Sequence, residues 1–111
     1  MESCRIFTIA DVVARDGRAY REFIRSADLS AGVYRLKAGA ADTQSPHTED
    51  EIYYVVSGRA SFQAGARQEE VGPGAVLFVP AHQEHRFLDI SEDLVVLVIF
   101  GPAEYSRREK S

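Results

Sequence analysis

Apolar and polar positions alternate in short blocks along the chain of 111 residues, and glycine or proline separates most of the blocks. The alternation predicts strands over residues 6–9, 20–25, 31–37, 47–57, 75–79, 85–90 and 94–100, with a hairpin over 60–71. Asp11 is expected to cap one brief helical turn before Gly17, and residues 91–93 are expected to form a turn. Because no long helical period is visible, the pattern favours an all-β sandwich or barrel.

The stretch from Pro46 to Gly58 predicts a polar site that opens into a packed interior. Strand side chains alternate between the two faces of a sheet. If the extended backbone begins at residue 47, one face carries an imidazole and two carboxylates, followed by an aromatic and an aliphatic side chain: His47, Glu49, Glu51, Tyr53 and Val55. The larger aromatic side chains are expected in the core, namely Tyr53, Tyr54, Phe62, Phe78 and Phe87.

Composition limits the classes of partner. With 45% hydrophobic residues the chain can bury a core, and its length fits a single domain. The formal net charge is -4 and no basic patch is present, so we expect no nucleic-acid partner. No apolar run approaches the roughly 20 residues of a membrane span. Cys4 is the only cysteine, which excludes an internal disulfide framework and a thiolate zinc cage. With no apparent signal peptide, a cytoplasmic protein is expected.

Two spaced motifs resemble those of the cupin family. The first motif falls on Gly39, His47, Glu51 and Gly58, and the second falls on Gly74, Pro80 and His85. The resemblance implies an all-β fold, a double-stranded β-helix (jelly-roll) barrel. It also implies one small single-domain cupin over residues 1–111. Its motif region would be 39–89, with N-terminal strands in 1–38 and the last strand and tail in 90–111.

The same resemblance implies a metal site. His47, Glu51 and His85 occupy ligand positions of the family, and two imidazoles with one carboxylate can hold one divalent metal ion (Fe, Mn, Ni, Cu or Zn) with open positions. The motif's first histidine is replaced by Ser45. Gln44 or Glu49 is therefore a candidate fourth ligand.

Other matched positions also depart from the family. His82 replaces a motif glycine and Asp89 replaces a motif asparagine. His82 lies in a predicted loop and is expected at the solvated surface. Tyr53 and Phe87 would line the pocket if their side chains point inward, as those of Glu51 and His85 two positions earlier would. The alternative is a barrel without metal, in which the three ligand-position residues are hydrogen-bonded structural groups.

The sequence is compatible with three functions. The first is a metal-dependent enzyme of dioxygenase, isomerase or lyase type acting on a small organic molecule, with Glu49 as a candidate base and no other catalytic residue assigned. The second is a non-catalytic small-molecule binding module, and the third is a structural protein that retains only the fold. The family resemblance also implies a homodimer, for which residues 20–25 could supply an edge strand.

Overall fold

The computed structural model describes Met1 and residues 3–16, 19–43 and 46–107. Within these residues the chain forms one helix and six strands. In order they are α1 (Ile6–Asp16), β1 (Tyr20–Arg25), β2 (Ser30–Leu36), β3 (Asp50–Ala64), β4 (Arg67–Val71), β5 (Val76–Val79) and β6 (His85–Gly101).

The strands form one antiparallel sheet in the order β1-β2-β6-β3-β4, with β5 also paired to β3. The two longest strands, β3 and β6, pair along most of their length. The first part of β3 also pairs with β5, and its last part pairs with β4, so successive segments of one strand build different parts of the barrel. The predicted all-β barrel is therefore confirmed, and β1 lies at an edge of the sheet as expected.

The inward-facing side chains form the barrel core. Their alternation along β3 matches the predicted parity, since Tyr53 and Val55 are buried while Ile52 and Tyr54 are exposed. The core is apolar and partly aromatic, and its larger members are Tyr34, Leu36, Tyr53, Phe62, Phe87, Leu94 and Phe100. Burial of these side chains is the main driving force that holds the barrel closed.

The predicted strand over residues 6–9 is wrong, because this segment belongs to α1. Ala10 and Val13 are buried, and Ile6, Ile9 and Ala10 pack with Val33 and Val95 in a second apolar cluster outside the barrel core. Ile6, Ile9, Ala10 and Val13 repeat at helical spacing, and that periodicity outweighs the strand preference of isoleucine. Asp11 consequently lies inside the helix and does not cap it. Among the described residues, no helix has the length and apolar character needed to span a membrane.

Two predicted breaks are also wrong. The central strand does not stop at Gly58 but continues to Ala64, and residues 91–93 lie within β6 and do not form a turn. The pairing register shifts on both sides of Gly58, whose φ is 95°. A Cβ there would overlap the carbonyl oxygen of Asp93. Gly58 therefore permits a close, irregular crossing of β3 and β6 where a turn was expected.

The outer face of the barrel carries more apolar surface than the sequence suggested. Tyr54 and Phe78 were expected in the core but are 41% and 63% exposed. They lie on the outward parity of β3 and β5, and β5 is half exposed where a buried strand was predicted. Because β3 pairs with both β5 and β6, the outward residues of the three strands lie side by side. They form an apolar outer face made of Ile52, Tyr54, Val76, Phe78, Leu97 and Ile99.

Candidate metal centre

The barrel brings His47, Glu51 and His85 together. His47 lies just before β3, Glu51 is the second residue of β3, and His85 is the first residue of β6. One possible ligand atom from each residue can be chosen so that all lie within 4.8 Å of one another. His85 Nε2 is 2.8 Å and His47 Nδ1 is 3.5 Å from Glu51 Oε1. All three residues are buried, so both imidazoles point inward toward one carboxylate.

Glu51 is the most constrained member of the group. It is 2% exposed, and neither of its carboxylate oxygens accepts a hydrogen bond of good geometry from the residues that the structure describes. Burying an ionised carboxylate without hydrogen-bond donors costs roughly several kcal/mol of desolvation free energy unless a cation lies beside it. The two imidazoles stand on the side where a cation would have to lie, so the residues present fit a metal ion.

Burial and charge shift the pKa values of all three residues. Burial opposes the protonated form of His47, but Glu104 and Glu51 outweigh it and raise the pKa to about 9. Burial opposes ionisation of Glu51, yet the two imidazoles hold the pKa of its carboxyl below the usual range. Burial likewise opposes protonation of His85, while Glu51 and the Gln83 carbonyl raise its pKa. The pKa shifts show that the cluster favours positive charge beside the Glu51 carboxylate, and a bound cation would supply that charge in place of imidazole protons.

The orientation of His85 is fixed from outside the group. Its Nδ1–H donates to the carbonyl oxygen of Gln83 at 2.7 Å, which leaves Nε2 facing Glu51. The hydroxyl of Tyr53 lies 3.0 Å from the same Nε2. Tyr53 itself is fully buried and packs edge-on against Phe87 at 5.4 Å between ring centroids. Of the two residues expected to line the pocket, Tyr53 therefore packs beside the imidazole of His85, and Phe87 packs against Tyr53.

His47 is held by a residue that the sequence did not single out. Its Nε2 lies 3.0 Å from Glu104 Oε2, and its ring packs against those of Phe100 and Tyr105, with centroids 4.7 and 5.2 Å away. Glu104 belongs to the segment after β6, which was expected to be part of the C-terminal tail. No periodicity or motif spacing marks a carboxylate in such a segment, so its contact with His47 depends wholly on the tertiary fold.

The candidate fourth ligands lie elsewhere or outside the described residues. Glu49 is 1% exposed, but its carboxylate faces the C-terminal segment. It accepts hydrogen bonds from the backbone N–H groups of Tyr105 and Arg107 and from the Thr48 hydroxyl. Gln44 and Ser45 lie outside the described residues. His82 is exposed, as expected, and its backbone N–H donates to the His47 carbonyl at 2.7 Å.

Two openings adjoin the group. A cavity of about 110 Å³ lies beside His47, and its walls are mainly apolar and aromatic: Ala19, Tyr20, Tyr34, His47, Tyr53, Val98, Phe100 and Glu104. The buried Tyr20 hydroxyl has no hydrogen-bond partner among the described residues. A larger, more polar groove of about 500 Å³ also reaches His85, and its described lining includes Asp42, Thr43, Pro46 and Gln63. Small molecules could therefore approach the group by two routes.

A sequence match that covers most of the barrel strands shows the family to which the chain belongs. The sequence model of the cupin domain matches residues 32–100, which is more than half of the chain. The chain belongs to the cupin family. The cupin match includes all three residues of the candidate centre and ends at Phe100, before Glu104.

Proteins of known sequence or structure resemble the chain over most of its length. The uncharacterised protein SCO3923 of Streptomyces coelicolor is 50% identical over 95 residues, which cover 86% of this chain and 90% of that protein. The structure of KdgF from Halomonas sp. superposes with a TM-score of 0.68 at 26% identity, over 75% of this chain and 76% of that one. DMSP lyase DddQ from Ruegeria pomeroyi gives a TM-score of 0.66 at 26% identity, over 78% of this chain but 42% of the lyase.

Proposed function

We propose that this cupin binds one divalent metal ion through His47, Glu51 and His85 and acts as a metal-dependent enzyme on a small organic molecule. The observation that carries the proposal is the buried Glu51 carboxylate, whose oxygens accept no hydrogen bond of good geometry from the described residues while two imidazoles converge on it. A divalent cation at their common centre would neutralise the carboxylate and accept both imidazole lone pairs.

The donor set favours Fe, Mn, Ni, Cu or Zn, because imidazole and carboxylate suit these ions and three protein ligands leave open positions. When bound, such an ion supplies Lewis-acid chemistry or activates dioxygen. The protein's part is to bind and orient the organic molecule beside it. The apolar walls of the cavity, such as Val98 and Phe100, would exclude water, and the Tyr20 hydroxyl could donate to an oxygen of the ligand.

We propose a reaction of dioxygenase, isomerase or lyase type. The likeness to DMSP lyase DddQ supports the lyase member of this set, at 26% identity. Glu49, the candidate base, is already engaged by three donors, so we leave it outside the reacting groups.

The second candidate is a non-catalytic module that binds a small molecule. It is favoured by the cavity itself, which offers an unpartnered Tyr20 hydroxyl and apolar walls irrespective of any reaction. The two candidates differ in one measurable respect. An enzyme converts its substrate only when metal is present, whereas a binding module shows ligand-dependent stabilisation without turnover.

Elemental analysis of untagged protein tests the metal site. We expect close to one metal ion per chain in the wild type and its loss in His47→Ala, Glu51→Ala and His85→Ala. His82→Ala is the matched control, because His82 is exposed and lies outside the group, and it should keep the metal. Full retention of metal in both His47→Ala and His85→Ala would defeat the ligand assignment.

We also propose that the chain forms a homodimer in the cytoplasm. The apolar outer face, on which Phe78 is 63% exposed, offers more apolar contact area than the charged edge strand β1. We therefore place the dimer interface on that face. The net charge of -4 gives no support to a nucleic-acid or membrane partner. The single cysteine, Cys4, suits a reducing compartment.

A further inference from the structure

The segment that follows β6 is tied to the barrel at several points. Ala103 is 2% exposed, and the backbone N–H of Glu104 donates to the fully buried Ser30 hydroxyl at 2.8 Å. The carbonyl oxygen of Glu104 accepts from Arg25 Nη2 at 2.9 Å. On the other side, Glu49 accepts hydrogen bonds from the next backbone N–H groups. The backbone of Glu104 is therefore fixed on both sides.

This fixed backbone directs the Glu104 side chain inward. Its carboxylate is 16% exposed and lies with Oε2 3.0 Å from Nε2 of His47. An ionised carboxylate is only an acceptor, so this contact requires a proton on His47 Nε2. The stacked Tyr105 ring and the Phe100 ring limit rotation of the imidazole.

With its Nε2 proton engaged by Glu104, His47 has its other nitrogen available. Nδ1 is buried and has no hydrogen-bond partner in the described part of the chain. It faces Glu51 Oε1 at 3.5 Å. His85 shows the complementary arrangement, because its Nδ1–H is held by the Gln83 carbonyl and its Nε2 faces the same carboxylate oxygen, with the Tyr53 hydroxyl 3.0 Å from that nitrogen. Each imidazole is thus held by an acceptor on one nitrogen and offers the other nitrogen to the shared centre.

We infer that Glu104 is a positioning residue: its carboxylate accepts the Nε2 proton of His47 and thereby presents His47 Nδ1 as the ligand atom. This inference rests on the proposed metal site. It adds a carboxylate from outside the cupin match, since that match ends at residue 100. Acceptors behind a ligating histidine fix its tautomer and ring orientation, and their loss commonly weakens metal binding by about 10- to 100-fold.

The first test is a zinc titration of full-length, metal-stripped protein against a chelating indicator. We expect Glu104→Ala to weaken Zn²⁺ binding by about 10- to 100-fold, and Glu104→Gln, which keeps the shape but not the charge, by about tenfold. Glu70→Gln, on the exposed face of β4, is the matched control and should bind zinc as the wild type does. Zinc affinity within twofold of wild type in both Glu104 variants would overturn the inference.

The second test needs no metal and reports the tautomer directly. Long-range ¹H–¹⁵N correlation spectra of metal-free protein, at a pH that deprotonates the imidazole, should show His47 as the Nε2–H tautomer. Glu104→Ala should lose this single tautomer, while the spectrum of His85 should stay unchanged. An Nδ1–H tautomer in the wild type, or no change at His47 in the variant, would overturn the inference. If the wild type binds no zinc, the metal proposal fails, and this spectrum alone decides whether Glu104 orients His47.

Discussion

Glu49 joins the start of β3 to the C-terminal segment, and its removal should release the segment that carries Glu104. The carboxylate is 1% exposed and accepts hydrogen bonds from Tyr105 N–H, Arg107 N–H and the Thr48 hydroxyl. In Glu49→Ala the two backbone donors lose their acceptor. The two amides must then bond to water, because Tyr105 and Arg107 are exposed, and the segment is held less tightly against the barrel.

The size of the effect follows from the number and kind of bonds lost. Hydrogen bonds to a charged group contribute about 1.5–3 kcal/mol each. Counting only the two backbone donors at the lower value, because this segment is partly exposed, we expect a loss of about 3 kcal/mol in the free energy of unfolding. For a domain of this size that corresponds to a fall in Tm of roughly 12 °C.

The contribution of Glu49 should also depend on pH. Burial opposes ionisation of Glu49, but the Thr48 hydroxyl and the Arg107 and Tyr105 amides outweigh it and lower the pKa. A carboxyl with a lowered pKa in the folded state stabilises the fold above its unfolded pKa. That stabilisation is lost as the pH falls through the folded pKa, so the difference between wild type and Glu49→Ala should shrink in acid.

Chemical denaturation combined with amide hydrogen exchange measures both consequences. Exchange at the Tyr105 and Arg107 amides should accelerate in Glu49→Ala, and the exposed Glu70→Ala should change the stability by less than about 0.5 kcal/mol. The reasoning would be refuted if Glu49→Ala matched the wild type in unfolding free energy and the two amides kept their protection.

The remaining predictions concern the β3–β6 crossing and the outer face. Gly74 has φ 92° with nothing within 4 Å of an added Cβ, so Gly74→Ala should cost about 1–2 kcal/mol of backbone strain. Gly58→Ala adds a clash with the Asp93 carbonyl, so it should lower the free energy of unfolding by about 1–3 kcal/mol more than Gly74→Ala does, as measured by denaturant unfolding. Equal losses in the two variants would contradict the close approach of β3 and β6 at Gly58. Phe78→Lys on the apolar outer face should convert a dimer to a monomer in light scattering, whereas Glu22→Lys on β1 should leave the dimer intact. The reverse pattern would place the interface at the edge strand.

The inward parity of the central stretch could be predicted because a strand with one buried face has a period of two. His47, Glu49, Glu51, Tyr53 and Val55 are all buried, although β3 itself begins only at Asp50. The family spacing likewise identified three residues that the fold brings together. What the parity could not reveal is that Glu49 turns toward the C-terminal segment, since alternation gives a face but not a hydrogen-bond partner.

Other features were missed or misplaced because local preferences and tertiary contacts disagree. A helical turn was predicted before Gly17, but the first part of α1 was predicted as a strand because isoleucines favour strands locally, although Ile6, Ile9 and Ala10 are spaced for one helical face and pack with Val33 and Val95. Gly58 resembles a turn residue, yet it lies within β3, at a close crossing with β6. Glu104 is 57 residues from His47 along the chain, and only the return of β6 beside β3 brings it to the imidazole.

The most direct test of the metal centre is a crystal structure of metal-supplemented protein with anomalous diffraction recorded at the absorption edge of the bound element. We predict one anomalous peak about 2.0–2.2 Å from His47 Nδ1, a Glu51 carboxylate oxygen and His85 Nε2. A map with no peak between these three side chains, or with a peak only at the exposed His82, would contradict the account.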